Sequence, residues 1–119
     1  MASELRVNTL KDASGNNSIA TSFVAGGSVK AWAFTTDDAI TDSLNTSSST
    51  DNGTGHYTIT FTSAMGNANF AVTATVNENN NFILGNRERA AGSYGIRIKN
   101  ASDTGQDANT GSAVHGDLA

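Results

Sequence analysis

Two histidines, His56 and His115, are the side chains of this sequence best suited to hold a transition metal. Imidazole is a common metal ligand, so three copies of one of them on an oligomer axis would make such a site. An ordinary surface or strand-end histidine explains each more simply, and no metal is expected. Asp51-Asn52-Gly53 and Asp103-Thr104-Gly105-Gln106-Asp107 set carboxylates beside glycines, as calcium loops do. Calcium asks for about six to eight converging oxygens. Neither stretch runs on into a full loop with a closing bidentate Glu, so both read as turns, as does Asp37-Asp38. Serines are abundant, but no Gly-x-Ser-x-Gly nucleophile elbow occurs. A hydrolase pair of carboxylates has no signature in spacing along the chain. Neither a catalytic residue nor a cofactor is expected.

Binding is the better candidate chemistry. Asn77, Glu78, Asn79, Asn80 and Asn81 read as a polar hairpin tip, and Arg87 and Arg89 as parts of the loop Gly85 to Gly92. Amides offer donors and acceptors together, which suits hydroxyl-rich ligands. A tip that merely keeps the chain soluble is an equal reading. Trp32, Tyr57 and Tyr94 would stack on sugar rings if they were free. Each lies inside an alternating run, so together with Phe34, Phe61 and Phe70 they are expected in core or interface packing.

The elements that carry these residues are strands. In His56-Tyr57-Thr58-Ile59-Thr60-Phe61-Thr62 the large apolar side chains alternate with threonines, and Phe70, Val72, Ala74 and Val76 repeat the pattern. Successive strand side chains point to opposite faces, so each run has one apolar and one wet side. Ser28 to Thr35 sets Lys30, Trp32 and Phe34 against Val29, Ala31 and Ala33. Two non-polar faces place that strand between layers or at a subunit contact. Ser93 to Lys99 alternates again, with weaker strands at Ile40 to Leu44, Phe82 to Leu84 and Ser112 to Leu118. Asn45 to Gly55 and Asn100 to Gly111 read as long polar loops. Near the start, Leu5 to Asp12 and Ser18 to Ala20 flank a turn, Thr21 to Val24 fits neither pattern, and no segment reads as a helix. The expected fold is all-β: an antiparallel, sandwich-like domain over residues 28–119, preceded by an extended N-terminal arm, residues 1–27, too poor in large apolar side chains to fold alone.

The composition narrows the classes further. The chain has 119 residues, a formal charge of −4 and 7 Lys and Arg in all. One domain and no nucleic-acid footprint follow. With no Cys and no Pro, neither disulfides nor prolines fix the fold or blunt its sheet edges. No apolar run approaches the roughly 20 residues of a membrane helix, and Met1-Ala2-Ser3-Glu4 lacks the regions of a signal peptide. The product is expected to be made in a cytoplasm. Much of the apolar fraction is alanine, so the core is lean, and burial between copies is a natural supplement.

Two segments together resemble a known family. Residues 2–19, Ala-Ser-Glu-Leu-Arg-Val-Asn-Thr-Leu-Lys-Asp-Ala-Ser-Gly-Asn-Asn-Ser-Ile, are similar to the opening of small virion fibre proteins in tailed phages of marine bacteria, including cyanophages. Residues 51–76, with Asp-Asn-Gly-Thr-Gly, Tyr-Thr-Ile-Thr-Phe-Thr and Met-Gly-Asn-Ala-Asn-Phe-Ala-Val, resemble the body that follows in those proteins, and Trp32 after Val29-Lys30-Ala31 fits too. The resemblance implies a non-enzymatic virion part: a β-rich, usually trimeric tail-fibre or tail-tip component. Its partners would be its own copies, other virion proteins held through the arm, and a host-surface glycan or protein. It carries over no single functional residue. A capsid decoration or head-fibre protein and a free carbohydrate-binding module stand as alternatives. In a bacterial-virus product the Asn-x-Ser/Thr sequons at Asn16, Asn45, Asn52 and Asn100 are coincidences of composition.

Overall fold

Tyr57, Ile59 and Phe61 all point inward from β6 (His56–Phe61) and are buried, while His56, Thr58 and Thr60 on the other side are only partly covered. β9 (Ser93–Lys99) answers with Tyr94, Ile96 and Ile98, set opposite β6 in antiparallel register: Tyr57 faces Ile96 and Ile59 faces Tyr94. Directly opposed residues share a face, so both triplets enter one interior. The computed structural model describes residues 3–78 and 82–119.

Two four-stranded antiparallel sheets share that interior. One has β6 and β9 at its centre, flanked by β5 (Thr46–Asp51) and β8 (Ile83–Ala90). The other runs β4 (Ala39–Leu44), β3 (Val29–Thr36), β10 (Thr110–His115), β7 (Ala71–Val76). From this second sheet Ala31, Ala33 and Val114 enter the core, and Val72, Ala74 and Val76 pack against it. Small inward residues on β3 leave room for the large aromatics opposite. Phe61 meets Phe70 edge-on, ring centres 5.6 Å apart, and Tyr94 at 5.4 Å. Such aromatic pairs add about 0.5–1.5 kcal/mol beyond the area they bury.

Within the two main sheets three segments differ from the sequence expectation. Thr46–Asp51 is a strand, although it contains no apolar side chain, because its backbone pairs with β6. Ile83–Ala90 is one continuous strand where a loop was expected from Gly85, with a register shift between Arg87 and Arg89. The last strand begins at Thr110 and ends at His115, earlier than expected at both ends. The all-β expectation holds, and the main sheets are antiparallel throughout.

The N-terminal segment stands apart. β1 (Thr9–Lys11) and β2 (Ser18–Ala20) form their own two-stranded ribbon. A short helix follows, α1 (Thr21–Gly27), where no helix was expected; no side chain caps it and none of its residues is buried. None of residues 3–27 belongs to the core. The radius of gyration is 17.3 Å, against about 13.5 Å for a compact chain of this length.

Candidate functional site

The outer face of the β4–β3–β10–β7 sheet is unusual for a surface facing water. Trp32 and Phe34 point outward from β3, opposite Ala113 and Gly111 of β10. On β10's other side Ala113 and Gly111 meet Thr73 and Thr75 of β7. On the other flank Trp32 faces Leu44, which is half exposed, and Phe34 faces Asp42. Two aromatic rings therefore lie on a floor of small side chains, partly uncovered. Such a floor lets a flat partner approach closely. The packing residues expected from sequence thus divide: Tyr57, Phe61, Phe70 and Tyr94 are core, whereas Trp32 and Phe34 are half-buried on the outer face of β3.

Residues 3–27 carry exposed apolar side chains of their own. Leu5 is 81% exposed, Phe23 72%, and Leu10, Ile19 and Val24 more than two-fifths. A shallow groove of about 320 Å³ lies against the β1–β2 ribbon, lined by Leu10, Asp12 and Ile19 among others.

The polar residues expected to bind together are not together. Asn77 donates its N–H to Asn109 O at 2.8 Å, and Glu78 Oε1 accepts from Asn109 N at 3.4 Å, so both are held at one end of β7. Asn79, Asn80 and Asn81 lie outside the described residues. Arg89 belongs to the opposite end: the register shift turns it toward the inner side, level with Tyr94, and its Nη1 donates to Phe70 O at 2.9 Å. The six residues of β7 separate the two groups, about 20 Å at a strand's rise. Arg89 is therefore a clamp on the β6–β7 connection and not part of an outward loop. Arg87 does face outward, with its Nε 3.0 Å from Glu88 Oε1.

The other candidates are occupied by structure. Asp51 Oδ1 accepts from Gly53 N at 2.8 Å, and Asp107 Oδ1 from Gly55 N at 2.7 Å, so these carboxylates hold turns. Asp103 pairs with Lys99, whose hydrogen bond and charge hold its carboxyl below the usual range. His56 Nε2 stands 3.3 Å from Glu88 Oε2. His115 lies in β10 opposite Ala71. Among the described residues no three His, Asp or Glu side chains converge as metal ligands would.

Sequence reasoning missed a buried hydroxyl cluster. Thr35 Oγ1 lies 3.0 Å from Tyr57 Oη and 2.8 Å from Thr110 Oγ1, and Tyr57 also bonds to Thr110. Burial pushes the Tyr57 phenol up, against the pull of its two threonine partners. The three groups satisfy one another inside the core, which locks the sheets together and presents nothing to a substrate. Thr35 and Thr110 stand opposite each other on β3 and β10, but Thr110 falls in a stretch read as loop.

Compared with known proteins, the chain matches no family model, no curated protein and no solved structure.

Proposed function

We propose that this chain is a non-enzymatic structural protein of a bacteriophage particle, a tail-fibre or tail-tip component acting as a homotrimer. Residues 1–27 form an arm that docks on a neighbouring virion protein, and residues 28–119 form a sandwich-like body whose far loops face the host. The observation that carries this reading is the apolar surface left open: Phe23 and Leu5 on the N-terminal segment and Leu44 on the outer sheet face, beside the half-buried Trp32 and Phe34. Side chains of this size each gain about 1.5–3 kcal/mol on full burial. A segment with no buried residue of its own has no reason to stay ordered except on another surface.

The sheet edges support assembly through particular strands. β8 carries Arg87-Glu88-Arg89 and a register shift, both of which discourage pairing with another chain. β7 carries no charge at all, and β5 only Asp51. Contacts between copies would use the outer face of β3 and the edge of β7.

The test is mass in solution, then incorporation. Light scattering on the purified chain is expected to give three times 12.2 kDa, and mass spectrometry of purified particles to find the chain in the tail. Deleting residues 3–27 is expected to abolish incorporation and spare the folded body. A stable monomer absent from particles overturns the proposal and favours a free binding module. Hundreds of copies per particle would move the chain from tail to capsid.

A further inference from the structure

We propose that the outer side of the β8–β9 ribbon is a binding groove for an acidic sugar, a saccharide bearing a carboxylate, sulfate or phosphate group. This does not rest on the virion reading. The chain is acidic, with a formal charge of −4 and 7 Lys and Arg. Yet Arg87, Arg97 and Lys99 line one shallow groove of about 350 Å³ with Ile83, Gly85 and Asn86. The antiparallel register makes this convergence: Arg97 lies opposite Gly85, Lys99 opposite Ile83, and Arg87 opposite Gly95. Opposed side chains share a face, so three cations rise from one side of the ribbon, around a floor that Gly85 leaves open.

The two glycines differ in kind. A Cβ at Gly95 would collide with the Arg87 main chain, so packing demands that glycine. A Cβ at Gly85 would meet nothing within 4 Å. The opening above Gly85 is free space that no contact of the fold requires.

The cations differ too. Arg87 pairs with Glu88, and Lys99 with Asp103. Arg87, Glu88 and Asp103 are more than half exposed, and pairs that water reaches are weak. Arg97 is different: its Nε is buried and, among the described residues, has no hydrogen-bond partner. An unsatisfied buried donor is costly and rare. Nε itself is closed off from solvent, so an incoming oxyanion would meet the guanidinium at its terminal nitrogens, and that planar edge matches carboxylate, sulfate and phosphate with paired hydrogen bonds. Lys99 adds a second positive point charge on the same face.

The rest of the groove fits a sugar ring. Ile83 is 64% exposed and offers an apolar wall to the C–H face of a ring. β8 is an edge strand, so main-chain N–H and C=O groups along its open side are free to meet hydroxyls. A long polyanion is disfavoured, because the field of the acidic protein as a whole opposes it. Within a screening length a single oxyanion meets three cations and the two carboxylates paired with them, Glu88 and Asp103, a local excess of one positive charge that Arg97 supplies.

The test follows the Arg97 Nε–H resonance in the full chain by NMR. Glucuronic acid, glucose 6-sulfate, glucose 6-phosphate, neutral glucose and inorganic phosphate are titrated in turn. At least one acidic sugar is expected to give a saturable shift, and the one that does identifies the oxyanion. Glucose should give none, and inorganic phosphate should bind roughly tenfold more weakly. Arg97→Gln removes that Nε–H reporter, so this variant is followed through the Gly85 and Lys99 main-chain amide resonances, which should show a saturable shift in the unaltered chain and none in the variant. Gly85→Val leaves every charge in place and its side chain enters open space, so it should fold normally and weaken binding roughly tenfold by filling the floor. No saturable shift with any acidic sugar, inorganic phosphate binding as tightly as the sugars, or unchanged affinity in Gly85→Val would each overturn the proposal.

Discussion

The Tyr94 hydroxyl lies 2.8 Å from Ser112 Oγ and ties the two sheets together through the core. Tyr94 comes from β9 and Ser112 from β10, central strands of opposite sheets. Tyr94→Phe keeps the ring against Phe61 and removes this one bond. Ser112 retains a long contact to Ala33 O at 3.4 Å. The expected loss is about 1 kcal/mol of stability, read from urea unfolding midpoints. No change would mean that the bond exchanges evenly with water.

The same residue sets an alkaline limit. Burial pushes the Tyr94 phenol from 10.0 up to about 12, and burial raises Tyr57 in the same direction. In the unfolded chain both ionise near their ordinary value, while in the folded chain they stay neutral. The contribution of Tyr94 to stability should therefore be level below pH 10.0, fall as pH rises toward about 12, and level off above it. Tyr94→Phe should make the overall fall in stability shallower. A fall equally steep in the variant, or tyrosinate absorbance appearing near pH 10 with the fold intact, would contradict the assignment.

What the sequence disclosed is the part of the fold built from alternating large and small side chains. Tyr57-Ile59-Phe61 and Tyr94-Ile96-Ile98 show their burial in their spacing. β5 does not, because its inward-facing Thr46 and Ser49 are polar and only backbone pairing makes it a strand. β8 hides for a related reason: it is an edge strand whose outer face is charged and whose register shift breaks the alternation at Glu88. α1 has neither capping side chain nor a buried face to produce a helical period. The basic groove was half visible. Arg87 stands out in sequence, but Arg97 and Lys99 sit inside an alternating run, and only the register with β8 brings the three together.

Asn45 is the corner through which the chain leaves one sheet for the other. It alone separates β4 from β5, with φ of 55°. Its side-chain nitrogen lies 3.1 Å from both Lys30 O and Ser63 O, and its oxygen accepts from Ser63 N at 2.7 Å. Left-handed backbone costs a residue with a Cβ about 1 kcal/mol, least for Asn and Gly. Asn45→Ala should lose about 2–4 kcal/mol from strain and broken bonds together. Asn45→Gly should lose less, because it relieves the strain. Equal losses, compared by thermal unfolding, would show that the amide contacts decide alone.

Gly55 holds the His56 end of β6 against the 98–106 loop. Its φ is 68°, and a Cβ there would collide with the Ile98 and Gln106 main chains. Its N–H donates to Asp107, and its carbonyl accepts from Ile98 N at 2.8 Å. Gly55→Ala should cost about 3 kcal/mol or more. Gly92→Ala, where a Cβ meets nothing within 4 Å, should be tolerated. Matching unfolding temperatures for the two variants would refute the close approach at Gly55.

The outer aromatics bear on folding and on association alike. Trp32 and Phe34 sit on the side of β3 away from the core, and the core-facing side is filled by Ala31, Ala33 and Thr35. A double change, Trp32→Ser with Phe34→Ser, leaves the interior intact but strips two side chains partly buried against β4 and β10, and should cost dilute chains about 2–4 kcal/mol. If this face joins copies, the same change removes two aromatic anchors, each capable of contributing about 2 kcal/mol or more at an interface. Light scattering across a concentration series should then show the assembled species receding to monomer. An unaltered assembly in the double variant would move the contact off the β3 face and onto the open edge of β7.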